Sequence, residues 1–302
     1  MTNFEVMGED VAFPEGPVAC DDGSVIVGEI RREQVTRVKP DGTKQHIAKI
    51  DGGPNGLAFG PDGALYCCNN GGFAWEDGND WPIGVSPNYT CGSIDRINIS
   101  TGKVEKLYTA CDGTKLAGPN DIVFDQAGGF WFTDLGKAFE HHELLGGLYY
   151  AKIDGSSIRR IAGGLDFNGV GLSPDGRTVY AAVTSRRWVL AFDAGPNPPA
   201  NQGHGMIAGR IVISYPGRTL LDSMAIEADG TIAQATLLEN QGVSRINPAT
   251  GKETTVPFPD ILTTNVAFGG RDMQTAYVTQ STTNKLLRLR WPAPGLRLPF
   301  NG

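Results

Sequence analysis

Six polar side chains, Glu15, Asn55, Asn120, Asn168, Asp222 and Asn265, stand at one place in six versions of a short phrase. Each version has a small turn, the polar residue, a strand-like apolar run and a hairpin of the Pro-Asp-Gly kind. The copies read PEGPVACDDGSVIV, GPNGLAFGPDGALYCC, GPNDIVFDQAGGFWFT, FNGVGLSPDGRTVYAA, LDSMAIEADGTIAQAT and TNVAFGGRDMQTAYVT. If the copies pack around a common axis, their polar side chains converge on it. Carboxylate and amide oxygens that meet at a point suit a hard divalent cation, and calcium takes such ligands with room left for water. Glu15, Asn120, Asn168 and Asp222 are assigned to this ion. Two carboxylates balance its charge, and two amides leave positions open for substrate. No sulfur or imidazole stands at the marker positions, so the pattern is not that of a zinc centre. Calcium is the first expectation, with zinc, magnesium, manganese or iron as alternatives.

Other residues are placed around this centre. Asp121 follows Asn120 directly and is expected either to orient the ligands or to act as a base. Asn55 and Asn265 hold marker positions but would close the ion to substrate if they also ligated, so they are expected behind the ligands or in the substrate pocket. His141 and His142 lie in a long loop, where they either reach a substrate or stay solvated. Trp75, Trp81 and Phe139 are candidates for an apolar pocket wall, and Trp131 fits the core better.

The elements that must position these residues follow from the repeat. Successive markers are 40, 65, 48, 54 and 43 residues apart. Strand-rich repeats of about 40–50 residues are the signature of propeller blades. In the second copy, LAFG, ALYCC, SIDRINI and VEKLYT read as four strands; in the fifth, MAIEA, TIAQATL, GVSRINP and TTVPF do. The turns PDG, DDG, QAGG, PDGR and ADG place Gly where a hairpin needs positive φ. Helical periodicity is absent. The expected architecture is all-β: a single six-bladed β-propeller domain over 1–302. Two copies are long, at 69–92 and 136–147, and both inserts follow a second strand, which puts them on one face of the disc as binding loops. The tail RLRWPAPGLRLPFNG is Pro-rich and should run extended on the disc or on a neighbouring subunit.

Bulk composition narrows the partners. The net charge of −7 lacks the basic face that nucleic acid requires. No apolar run is long enough to span a membrane, and the N-terminus has no signal-peptide pattern. The five cysteines, Cys20, Cys67, Cys68, Cys91 and Cys111, show no zinc spacing. Reduced, mostly buried thiols in a cytoplasmic protein are expected.

PEGP at 14–17, GPNDIVFDQAGGFWFTD at 118–134, NGVGLSPDGRTVY at 168–180 and DSMAIEADG at 222–230 carry a resemblance to the SMP-30/gluconolactonase/luciferin-regenerating-enzyme family. It runs over nearly the whole chain. The resemblance implies a six-bladed propeller with one catalytic divalent cation at the axis, held by Glu15, Asn120, Asn168 and Asp222. It also implies an acid/base role for Asp222 and substrate contact for Asn120. The expected activity is that of a gluconolactonase-like carboxylic-ester hydrolase. It opens a lactone, a sugar lactone or another cyclic ester, by polarising the carbonyl on the metal and adding water. Two residues depart from the sugar-lactonase pattern: Gly118 stands where that branch has an Arg, and Ser223 stands where the family usually has Gly. A phosphotriester hydrolase of the same fold and a non-enzymatic, metal-stabilised binding propeller are the alternatives.

Overall fold

The computed structural model describes residues 3–195 and 198–300. Six four-stranded antiparallel sheets form the blades. Their innermost strands are Pro14–Ala19, Pro54–Phe59, Pro119–Phe124, Phe167–Leu172, Leu220–Ile226 and Thr263–Gly269. Each inner strand packs on the next, and the sixth packs on the first, which closes a ring. These strands are buried almost throughout because both faces of each sheet meet a neighbouring blade. The outermost strands, such as Lys44–Lys49, meet water along one edge and are largely exposed. The fold is therefore an all-β six-bladed propeller, and its only helical pieces among the described residues are two 3-10 turns, Gly205–Ile207 and Leu238–Asn240.

The four strands expected in the second copy are Pro54–Phe59, Leu65–Asn69, Ser93–Ile97 and Val104–Tyr108. Those of the fifth are equally present, from Leu220–Ile226 to Glu253–Pro257. Sequence reading missed one element. The sixth blade has three strands from the C-terminal end, and its outer strand is Glu5–Gly8, paired antiparallel with Lys285–Arg290. Pairing the two ends of the chain closes the ring without a bare edge inside it. Met7 and Val11 sit beneath this seam against Val25, Val27 and Leu286, and Glu5 pairs with Arg288 at 2.9 Å.

The C-terminal tail lies on the disc, across the face where the first hairpin of each blade turns. The Leu296 and Gly295 amides donate to Ile226 and Met273 carbonyls, and Ala228 donates back to Pro294, each at 2.8 Å. At the base of the tail the Trp291 indole N–H donates to Glu227 at 2.8 Å. Glu227 is fully buried and takes a two-pronged bond from Arg245, 2.6 Å on each arm.

Both inserts rise from the opposite face. Pro54 pairs with Asn69 and Pro119 with Asp134, so the ends of these second strands lie beside the marker residues. Each insert carries a small ribbon, Phe73–Ala74 with Gly84–Val85 and Lys137–Ala138 with Glu143–Leu144, and the two ribbons pack together. All five cysteines are free; Cys91 is partly exposed and the others are buried.

Candidate axial site

The six markers share a local device. Pairing between the first and second strands of each blade slips at the marker, in the intervals Glu15/Val18, Pro54/Leu57, Pro119/Ile122, Phe167/Val170, Leu221/Met224 and Thr263/Asn265. A bulge of this kind breaks the two-sided alternation and re-aims a side chain. Close approach between blades then demands a residue without a side chain. Gly16 has φ +54°, and a β-carbon there would lie 2.2 Å from the Asn55 carbonyl oxygen. One on Gly169 would lie 2.6 Å from the Asp222 carbonyl oxygen.

All six marker side chains are buried, with exposures from 3% to 8%. Glu15, Asn168, Asp222 and Asn265 influence one another directly. The Asn265 amide donates to Glu15 Oε2 at 3.3 Å. Burial, and then the charge of Asp222, push the Glu15 carboxyl well above the usual carboxylate range. Burial pushes Asp222 up to about 7, opposed by the nearby Asn168 amide. Two desolvated carboxyls repel here, and no cationic side chain of the described residues pairs with either.

The amide oxygens complete the picture. Oδ1 of Asn55, Asn120 and Asn168 is buried and accepts no hydrogen bond from the described residues, which is costly for an acceptor. Asn168 spends its amide N–H on the Thr184 hydroxyl at 3.1 Å, so its oxygen points elsewhere. Asn265 differs, because its Oδ1 accepts the Val266 N–H at 2.8 Å. The two markers set aside from ligation are thus not alike: Asn55 offers a bare oxygen as Asn120 and Asn168 do, and Asn265 braces Glu15. No cluster of three or more His, Cys, Asp or Glu occurs among the described residues. The axial donor set is a mixed one of amide and carboxylate oxygens, which fits a hard cation.

Two cavities meet this ring from opposite sides. One, of about 400 Å³, lies on the insert face and is lined by Asn55, Asn70, Phe73, Asn120, Lys137 and Thr184 among others. The other, about 90 Å³, is an axial channel lined by Gly16, Asp121, Met224 and Asn265 and closed by Leu296–Leu298 of the tail. Asp121 faces this channel, not the larger cavity. Its carboxylate accepts the Ile122 and Val170 amides at 3.0 and 3.2 Å and so ties the third blade to the fourth; burial still holds it up at about 7. Asn265 lines the channel as well, away from the pocket where a substrate contact was expected.

Of the loop residues, His141 takes the solvated alternative and not the substrate contact, and the candidate wall aromatics lie elsewhere. His141 is 84% exposed beside Glu140 and does not line the cavity. His142 stacks on Phe139 at 4.5 Å, which leaves both off the cavity wall. Trp75 packs on Phe13 at 5.2 Å with the Arg31 guanidinium over its ring, so it supports the insert and is not a wall. Trp81 is exposed, and Trp131 is core, as its sequence context implies.

Three residues not singled out in the sequence shape the cavity. Asp134 accepts the amides of Ala117, Gly118 and Gly136 at 2.7–2.8 Å and folds the chain tightly there. A β-carbon on Gly118 would sit 2.4 Å from the Gly136 carbonyl oxygen, so no Arg fits at this position. Lys137 follows and is 5% exposed. Burial holds its ammonium down at about 7, with Asp134 opposing. Asn70 is buried in the same wall and its Nδ2 has no partner. The only signal for either in the sequence is its place at the foot of an insert.

A closed ring of six blades with oxygen donors gathered at its axis defines the class of six-bladed propellers with a polar axial site. The chain belongs to the SMP-30/gluconolactonase/LRE-like family, whose profile matches residues 13–282. A gluconolactonase of Zymomonas mobilis is 23% identical over 222 residues, which is 65% of this chain and 57% of that protein. The chain thus spans little more than half the length of this relative. A gluconolactonase structure from Xanthomonas campestris aligns with TM-score 0.72 at 20% identity, over 96% of this chain and 89% of its own. A calcium-binding regucalcin from Agrobacterium tumefaciens aligns with TM-score 0.69 at 17% identity, over 99% and 100%. No helix among the described residues is long and apolar enough to cross a membrane.

Proposed function

We propose that the protein is a divalent-cation-dependent lactonase with Glu15, Asn120, Asn168 and Asp222 as the ligands, and with the Asn55 oxygen beside them. The observation that carries this reading is the set of three buried amide oxygens, unpartnered among the described residues, beside two carboxyls raised chiefly by their burial. An ion of calcium type relieves both. Family membership favours a lactone as substrate, and the named gluconolactonase relatives favour a sugar-derived one. The proposed protein is one propeller unit acting on a small molecule, with no nucleic-acid or membrane partner.

The cation, when bound, supplies a Lewis acid for the lactone carbonyl and holds the neighbouring carboxyls ionised. The chain's own residues do the rest. Asn120, at the floor of the cavity, positions the ring, and the insert walls exclude bulk water. Asp222 takes a proton from the attacking water as its oxygen bonds to the carbonyl carbon. The ring C–O bond then breaks, and Asp222 returns its proton to the departing oxygen, which gives the hydroxy acid. Thr184 bonds both Asn168 and the Leu221 carbonyl, at 3.1 and 2.8 Å, and so fixes Asp222 from the side. Asp222→Ala is expected to cut kcat for lactone opening by about 10³-fold, the scale of losing a positioned base. Proton release during hydrolysis of a lactone panel measures this. Full turnover by the variant would defeat the assignment.

A further inference from the structure

Lys137 is an unusual group to find in such a wall. Its ammonium carries three N–H donors, yet only one is used, donating to the Asn70 carbonyl oxygen at 2.7 Å. Beyond that bond it lies over the ring of Phe73 at 4.0 Å and near that of Tyr89 at 5.4 Å. No carboxylate of the described residues comes within ion-pair distance. The closest influence is Asp134, whose oxygens are spent on three backbone amides. Asn70 adds a second donor. It is 3% exposed, its Oδ1 accepts the Gly72 N–H at 2.9 Å, and its Nδ2 is unpartnered.

We propose that Lys137 and Asn70 form a receptor for a carboxylate carried by the substrate, so that the lactone is one bearing an acid group away from its ring ester. Both residues line the cavity that also exposes Asn55 and Asn120. An anion bound between them would meet the free donors of Lys137 and Asn70. A hydroxyl would fill the hydrogen-bond count but leave the ammonium charge uncompensated in a dry wall, whereas a carboxylate satisfies both. The acidic residues of the same cavity do not oppose this strongly. Asp166 is engaged by the Ser185 amide and hydroxyl at 2.7 and 2.9 Å, and Glu143 stands exposed at the rim, where water screens it. Arg186, exposed on the cavity lining, adds a second positive charge. A purely structural lysine that tied the two inserts together would need the Asn70 carbonyl alone.

This inference rests on the lactonase reading for its substrate but is tested apart from it. The probes are the five-membered lactones of glucaric and gluconic acid, which differ only in a carboxylate for a hydroxymethyl group. Their opened acids, glucarate and gluconate, serve as binding probes in calorimetry with the cation-loaded protein. The wild type should prefer the glucaric lactone in kcat/KM by at least about tenfold, mainly through KM, and should bind glucarate tighter than gluconate by a similar factor. Lys137→Met should lower that preference to near unity in both measurements. Asn70→Asp keeps the oxygen that holds Gly72 and replaces the free donor with a carboxylate oxygen; it should do the same. Glucarate binding that depends on Lys137, with neither lactone opened, would support the receptor while removing the lactonase reading. Equal binding of the two acids by the wild type, or equal loss on both lactones in Lys137→Met, would overturn the receptor and leave the lactonase reading standing.

Discussion

Burying Lys137 shifts its proton affinity in a way that stability should report. Folding lowers its pKa from 10.5 to about 7. Between these values the unfolded chain holds the proton and the folded one does not, so this group makes stability rise with pH across that window. Below pH 7 its contribution is a constant penalty. Lys137→Met should therefore flatten the rise in melting temperature between pH 7 and 10 and raise stability at pH 6. A parallel pH profile in wild type and variant would mean the ammonium is better solvated than its surroundings imply. The markers show how chemistry and position separate at this scale. Their register was legible from one recurring phrase, because a bulge and a turn repeat with it. Their roles were not, because whether an Asn oxygen is left bare depends on neighbours such as Val266 N–H, which holds Asn265 Oδ1 but has no counterpart at Asn55.

Among the elements, the outer strand Glu5–Gly8 carries more than its length suggests. Its four residues, EVMG, show no alternation that marks a strand, and its partner begins at Lys285. Only the missing fourth strand of the last blade demands it, which is why sequence reading passed over it while finding the strands of the second and fifth copies. Met7 is 3% exposed within the seam between the last and first blades. Met7→Ala should cost about 2–4 kcal/mol, the range for emptying a buried site of this size. Chemical denaturation checks this, and a loss below about 0.5 kcal/mol would mean that the seam is held elsewhere. The inserts were legible as interruptions, but their ribbons and the cavity between them were not, since two-residue ribbons leave no periodic trace.

For the molecule as a whole, the disc divides its work between two faces. The insert face holds the larger cavity, and the opposite face is sealed by the tail over the axial channel. Removing the chain after Pro292 deletes Leu296, Leu298 and Phe300 from apolar clusters but touches nothing on the insert face. The truncated protein should lose about 2 kcal/mol from the lost apolar burial and keep its kcat for lactone opening to within about threefold. A collapse of kcat without loss of folding would show that the channel side takes part in the reaction.

The claim that unites these scales is that the axial oxygens exist to hold a cation that the reaction uses. Protein stripped with EDTA, freed of chelator and then titrated with calcium, zinc, magnesium, manganese or iron, tests it directly. The account predicts that lactone turnover falls to background on stripping and returns with about one equivalent of cation. Thermal stability should rise with free ion as binding to the folded state requires, by about 2.7 kcal/mol at a hundred times Kd. Full turnover by the stripped protein with no cation added would contradict it.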